Sequence, residues 1–329
     1  MSTDRFLVTG AMGCIGAWTV RNLVKAGVQV ATLDQTQNFK RLGLLLTPEE
    51  IAQVQVWKGD VSNLGDVRAI FEAAQPTHVI HLAALQLPFC KADPVRGAQV
   101  NVVGTVNIFE VAKEFGLKKL VFASTTAVYG TADEYDPGPL SHDTPLKPRS
   151  HYGVYKQANE GTARVYWLED GISSIGLRPY TVYGAGRDQG MTSTPTKAML
   201  AAALGHPYHI SFGGRCAFQY GDDTGKIFIQ AALTDFQGAE TFNIGGESNS
   251  VAEVIAAIEK AAPEMRGQIT FNDVPLPFPE EADNQALSAV LGPLPFTPLE
   301  QGVADTIQIF RHALSNGQMS ENEANIILS

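Results

Sequence analysis

Tyr152-Gly-Val-Tyr-Lys156 sets a phenol and an ammonium four residues apart. On a helix that spacing puts both on one face, one turn from each other. Tyrosine is a poor base at its ordinary pKa of about 10. A lysine ammonium beside it favours the phenolate and draws that value toward neutrality. Proton transfer at a secondary alcohol or ketone requires such a group. Tyr-x-x-x-Lys alone is common on solvated helices, so the pair gains meaning only where the chain also brings it a redox cofactor.

Such a partner is suggested at the other end of the chain. Phe6-Leu-Val-Thr-Gly-Ala-Met-Gly-Cys-Ile-Gly16 is a short apolar run that ends in Gly10, Gly13 and Gly16, ahead of an amphipathic segment, 17–26. It reads as a buried strand, a tight turn and a helix start, where backbone N–H groups and the helix dipole meet an anion. The expected guest is a dinucleotide pyrophosphate. The spacing is G-x-x-G-x-x-G and not G-x-G-x-x-G, so context has to support it. A second apolar run, 28–33, ends in Asp34, about twenty residues on, where a carboxylate would accept from an adenosine ribose. Asp34 also repels a 2′-phosphate and favours NAD over NADP, while Lys40 and Arg41 nearby weigh the other way. Cys14 reads either as a reactive thiol in the turn or as a small residue that fits it.

The elements that must position these groups alternate regularly. Apolar runs at 54–57, 78–84, 119–124 and 173–177 follow the first two. Between them, helical patterns span 63–74, with Asn63 as cap, 94–115, stopped by Gly116, and 150–169. That rhythm implies right-handed crossovers and an α/β, doubly wound parallel sheet. Segment 133–148, rich in Pro, Gly and Asp, reads as an active-site loop. Beyond Gly184 the alternation loosens. Helices near 193–204, 222–234, 250–260 and 298–313 mix with strands near 208–211, 242–244 and 269–272. Residues 1–184 are thus expected to form the dinucleotide-binding domain, and 185–329 mainly a smaller substrate lobe that returns part of its chain to the main sheet. The tail from Ser315 commits to nothing.

Composition narrows the function. The chain has 329 residues, 44% hydrophobic and 18% charged, with ample core for this plan. A net charge of −10 argues against nucleic acid or an anionic membrane as partner. No apolar run is long enough to span a bilayer and the start is polar, so a cytoplasmic protein is expected. The cysteines, Cys14, Cys90 and Cys216, have no paired spacing, and no metal site is expected. His78 and His81 would point to opposite faces of a strand.

The ordered set Thr9-Gly10-Ala-Met-Gly-Cys-Ile-Gly16, Gly59-Asp60-Val61, His81-Leu-Ala-Ala84, Asn101-Val-Val-Gly-Thr105, Phe122-Ala-Ser-Thr-Thr-Ala-Val-Tyr-Gly130, Tyr152 to Lys156 and Leu177-Arg-Pro-Tyr-Thr-Val-Tyr-Gly184 resembles the extended short-chain dehydrogenase/reductase family, which includes nucleotide-sugar epimerases and dehydratases. The resemblance implies a Rossmann fold with NAD as cofactor. It places the pyrophosphate on Gly10, Gly13 and Gly16 with the backbone of Cys14 and Ile15, the adenosine ribose on Asp34, and the adenine edge on Asp60 and Val61. Leu82, Ala83 and Ala84 would line the cofactor cleft. Asn101 would either take part near the catalytic group or stabilise a helix irregularity. The catalytic hydroxyl falls on Thr125, with Ser124 beside it. Tyr152 becomes the acid/base, and Lys156 tunes it and binds the nicotinamide ribose. A homodimer through the helices of Asn101 and Tyr152 is also implied.

Departures from the family bear on the substrate. The acidic pair that dehydratases carry after the catalytic hydroxyl is Thr126 and Ala127 here, which sets dehydration aside. Where nucleotide-sugar epimerases hold a diphosphate with an Asn, this chain has Thr181. The first gripping arginine aligns with Cys216, rescued as Arg215 only by a one-residue slip, and a later one falls at Glu281-Ala-Asp283. These changes favour a smaller substrate, a free sugar, sugar acid or hydroxy acid, whose carboxylate would meet Arg178, Arg187 or Arg215. Phe89, Tyr180, Phe212 and Phe218 would shape the pocket or pack the core. The leading expectation is an NAD-dependent dehydrogenase of carbohydrate metabolism. The alternative is an NAD-dependent nucleotide-sugar epimerase, and a non-enzymatic NAD(H) sensor is the third reading.

Overall fold

A computed structural model describes residues 4–329. Its strands are β1 (Arg5–Thr9), β2 (Gln29–Asp34), β3 (Gln55–Lys58), β4 (His78–His81), β5 (Lys119–Ala123), β6 (Ser173–Arg178), β7 (Thr181–Tyr183), β8 (Tyr208–Ile210), β9 (Arg215–Tyr220), β10 (Ala239–Asn243), β11 (Ser248–Ser250) and β12 (Ile269–Phe271). Seven of them form one sheet in the order β10-β6-β5-β4-β1-β2-β3, every pairing parallel. Helices cover both faces, and β6 is buried at all six positions, as a two-sided parallel strand must be. The chain reverses its winding direction between β1 and β4. A crevice opens at the carboxyl ends of strands at such a point.

Local signals start the helices that matter. Ser150 Oγ accepts from Gly153 N at 3.1 Å and opens the helix His151–Asp170, which Gly171 ends at φ +66°. Asn63 caps Leu64–Ala74 in the same way. The helix expected over 94–115 is interrupted. It runs as Pro94–Ala98, a π-helical turn Gln99–Val103, then Gly104–Glu114. The wider turn coincides with a long-range bond. Asn101, wholly buried, bonds the Leu85 backbone and Cys90 Sγ with its side chain.

From β7 onward the chain builds a second, smaller layer. β7, β9 and β11 form a three-stranded sheet, and β8 pairs with β12. Thr194–Leu204, Val251–Ala261 and Leu299–Ser315 contribute buried apolar faces to the core against these strands. Helix Gly221–Leu233 packs on Cys14–Lys25, and β10 completes the main sheet. The tail is helical over Glu321–Leu328, begun by a reciprocal cap between Ser320 and Glu323. Segment 133–148 contributes nothing to the cleft. It is fastened elsewhere, through His142 O and Leu140 O, which accept from Arg178 and Asn243. No described helix is long and apolar enough to cross a membrane.

Candidate active site

A cleft of about 670 Å³ opens over the carboxyl ends of β1, β2, β4 and β5. The glycine turn forms one wall. Gly10 has φ +69°, and a Cβ there would stand 2.6 Å from Ala83 N. A Cβ on Gly16 would stand 2.2 Å from Gly10 O. Gly13 caps the helix Cys14–Lys25 without any side-chain bond, and no acid lies in the first turn. Cys14, Ile15 and Gly16 line the cleft at this uncapped, positive helix end. A pyrophosphate fits this cradle on the chemistry of its donors.

Asp34 ends β2 at the rim of the same wall. Its Oδ2 accepts from Met12 N at 3.0 Å and its Oδ1 from Thr36 N at 3.1 Å. Burial raises its pKa, against those bonds and the nearby Arg41 charge. Of the two neighbouring cations Arg41 is engaged in a partly buried pair, and Lys40 stays largely exposed. Arg41 is held by Asp188 and by Met12 O, and Lys40 by Glu323. Leu82, Ala83 and Ala84 line the cleft. Their place is set by Thr9, whose Oγ1 accepts from Leu82 N and Ala83 N at 3.2 Å each while it bonds His81. Sequence reasoning missed Thr9, though it stands inside the glycine motif.

Two cofactor-side expectations need correction. Val61 lines the cleft but Asp60 does not. The Asp60 carboxylate is engaged by Arg96 and by Ser62, so it holds the loop that presents Gly59 and Val61. Asn101 is also outside the cleft. Its Oδ1 accepts from Leu85 N at 2.7 Å and its Nδ2 donates to Leu85 O at 2.9 Å. It therefore braces the segment after β4 through the helix irregularity.

Thr125, Tyr152 and Lys156 meet in the cleft. Lys156 Nζ donates to Ala123 O at 2.7 Å and lies 5.9 Å from the Tyr152 ring centroid. Burial lowers the lysine to about 8. Burial pushes the Tyr152 phenol up to about 12, while a hydrogen bond from Thr125 and the charge of Arg187 pull it back. The groups that favour the phenolate here are Thr125 and Arg187, and Lys156 is turned toward a backbone carbonyl.

The substrate side differs most from expectation. Ser124 lines the cleft, but its Oγ donates to Glu160 Oε1 at 2.5 Å, and Glu160 is paired with Arg178. Arg178 also donates to Tyr129 and His142 and is structural. Thr181 is fully buried and outside the cleft, its Oγ1 3.4 Å from Cys216 Sγ. Strand alternation explains this: Tyr180 and Val182 face the cleft, and Thr181 faces the core. Arg215 points away onto Glu253 and Ser248 O. Phe212 and Phe218 belong to the core, while Phe89 and Tyr180 line the cleft. Arg187 alone of the expected arginines lies there. It donates to Thr192 at 3.1 Å, and its buried Nε has no partner among the described residues. The Cys14 thiol is pushed up to about 11 by burial, which disfavours its thiolate. Gln86, Gln189 and Phe278 also line the cleft and were missed, since loop residues carry no periodic signal.

A model of the NAD dependent epimerase/dehydratase family matches residues 6–245. A UDP-glucose 4-epimerase of Mycolicibacterium smegmatis is 30% identical over 323 residues, covering 94% of this chain and 99% of its own. A UDP-glucuronate 4-epimerase of Thermodesulfobacterium geofontis is 33% identical over 275 residues, 78% of this chain and 80% of its own. The crystal structure of a Thermus thermophilus UDP-glucose 4-epimerase in complex with NAD matches at TM-score 0.80 and 28% identity, over 94% of this chain and 100% of that one.

Proposed function

The chain belongs to the NAD dependent epimerase/dehydratase family, and on that premise we propose that it is a nucleotide-sugar epimerase working through a transient ketone. It is an enzyme and its cofactor is NAD, which the uncapped glycine turn and the Asp34 carboxylate suit. The observation that carries the reaction type is that Thr125, Tyr152 and Lys156 line one cleft together with that turn. The 4-epimerase relatives favour the sugar-nucleotide substrate over the smaller one expected from the sequence.

Bound NAD would supply a reversible hydride acceptor for a secondary carbinol. Tyr152 removes the hydroxyl proton and later returns it, which requires the phenolate form. Thr125 donates to that oxygen as it gains carbonyl character and steadies the negative charge. Lys156, one helical turn from Tyr152, would hold the cofactor ribose. Arg187 meets the anionic part of the substrate, and the chain from residue 185 onward supplies this side of the cleft with Gln189, Met191 and Thr192. Thr126 and Ala127 offer no acid and base for loss of water.

A second reading, an NAD-dependent dehydrogenase of a small sugar acid, is favoured by the burial of Thr181 with Cys216 and the outward turn of Arg215. Both positions would otherwise grip a diphosphate. Incubation with UDP-glucose, UDP-glucuronate and a panel of free sugar acids in the presence of NAD separates the two. A new sugar-nucleotide epimer with no NADH in solution is expected. NADH accumulating with a free acid selects the dehydrogenase, and neither product removes both.

We further infer a homodimer. Val95, Val103, Val154, Val165 and Leu168 are exposed on two helical segments that contact each other. Val154, Val165 and Leu168 recur at helical spacing on one face of His151–Asp170. A second copy would cover them and make a four-helix contact.

A further inference from the structure

An ion pair with no assigned role joins the two walls of the cleft. Arg41 stands on the short helix Lys40–Gly43, just beyond β2. Its Nη1 donates to Met12 O at 2.7 Å inside the glycine turn. Its Nε and Nη2 donate to Asp188 Oδ1 at 3.1 and 2.6 Å. Such a forked contact between ionised groups is both strong and directional. The two side chains are only 21% and 24% exposed, so salt screens the pair incompletely. Below it the arginine stem lies against Gly186, at φ +91°, with its Cβ, Cγ and Cδ within 3.6 Å of where a Cβ would stand. Arg41 itself lines the cleft, as do the neighbours of Asp188, Arg187 and Gln189. One guanidinium therefore touches the turn built for the cofactor and the segment that carries the substrate arginine.

We propose that Arg41 and Asp188 are positioning residues that fasten the substrate-side segment to the dinucleotide turn and so retain NAD in the enzyme. Release of a dinucleotide held between those walls requires them to part, and the pair opposes that. An epimerase needs this retention, because the hydride it removes must be returned to the same substrate before the reduced cofactor escapes. The inference rests on the proposed reaction only for that benefit, since NAD itself follows from the family.

The test uses the purified holoenzyme loaded with NADH and chased with excess NAD, with NADH fluorescence as readout and no substrate present. Asp188→Asn keeps the shape and removes the charge, and its NADH dissociation rate is expected to rise about tenfold. Asp188→Glu, which keeps the charge, should restore slow release. Arg41→Lys, which keeps a cation but loses the fork, should fall between them. Release from folded Asp188→Asn or Arg41→Lys within about twofold of the wild type overturns the proposal. If Asp188→Asn does not fold, Arg41→Lys decides alone. Unchanged release would leave the proposed reaction standing, and a failed substrate screen would leave the release result standing.

Discussion

At the residue scale the site rests on how one phenol is held. Tyr152 is partly exposed, and desolvation of its phenol raises its pKa while Thr125 and Arg187 pull it back toward the phenolate. Tyr152→Phe removes the proton acceptor and little else. It should retain NAD on gel filtration while kcat falls by about 10²–10⁴-fold. Undiminished turnover would take Tyr152 out of the mechanism. Lys156 makes a separate prediction about stability. Burial lowers it from 10.5 to about 8 in the folded chain. Between those values the unfolded chain binds a proton that the folded one does not, so stability rises with pH across that window and is lost as pH falls through about 8. Relative to Lys156→Met, the wild type should gain at most about 1.4 kcal/mol per pH unit from pH 8 to 10, read by urea unfolding at each pH. A flat difference would mean that Lys156 is better solvated than its buried position implies.

At the element scale the glycine turn is the least tolerant part. A Cβ on Gly16 meets backbone on both near approaches, Gly10 O at 2.2 Å and Ala11 Cα at 2.7 Å, and neither can swing aside. Gly16→Ala should cost about 1–3 kcal/mol in thermal or urea unfolding and abolish NAD retention. Wild-type cofactor content in that variant would show the turn to be more pliant than its contacts suggest. The turn was legible in the sequence because three glycines at fixed offsets after an apolar run mark a place where backbone must approach backbone closely. The π-helical turn at Gln99–Val103 was not, because the bond that accompanies it joins Asn101 to a backbone sixteen residues earlier. The tail helix is a different case. Ser320 and Glu323 spell out its cap, but the segment that follows is too short for its apolar spacing to stand out.

At the scale of the whole molecule, two layers meet at the cleft, and the smaller one is tied to the larger at separated points. Trp18 Nε1 donates to Ala185 O at 3.0 Å, and Arg41 pairs with Asp188 at 2.6 Å. The outer surface of the helices Pro94–Ala98 and His151–Asp170 is left unusually apolar, with Val95 70% and Leu168 69% exposed. The wild type should sediment as a dimer, and Leu168→Glu should sediment as a monomer with its fold intact by circular dichroism. A dimer in both would move the interface to another face.

The sequence by itself determined the alternation of the main sheet, the glycine cradle, Asp34 and the Tyr152–Lys156 pair, because each is written in local spacing or in periodic burial. Only the tertiary structure decided which polar side chains remain available to a ligand. Ser124, Asp60, Arg178 and Arg215 have suitable chemistry but are occupied by Glu160, Arg96, Glu160 and Glu253. Thr181 is turned into the core by the alternation of a three-residue strand that the sequence did not disclose. The physical reason is the same throughout. A hydrogen bond or ion pair is satisfied by whichever partner the fold brings within about 3 Å, and for these residues that partner is distant in sequence or on another element.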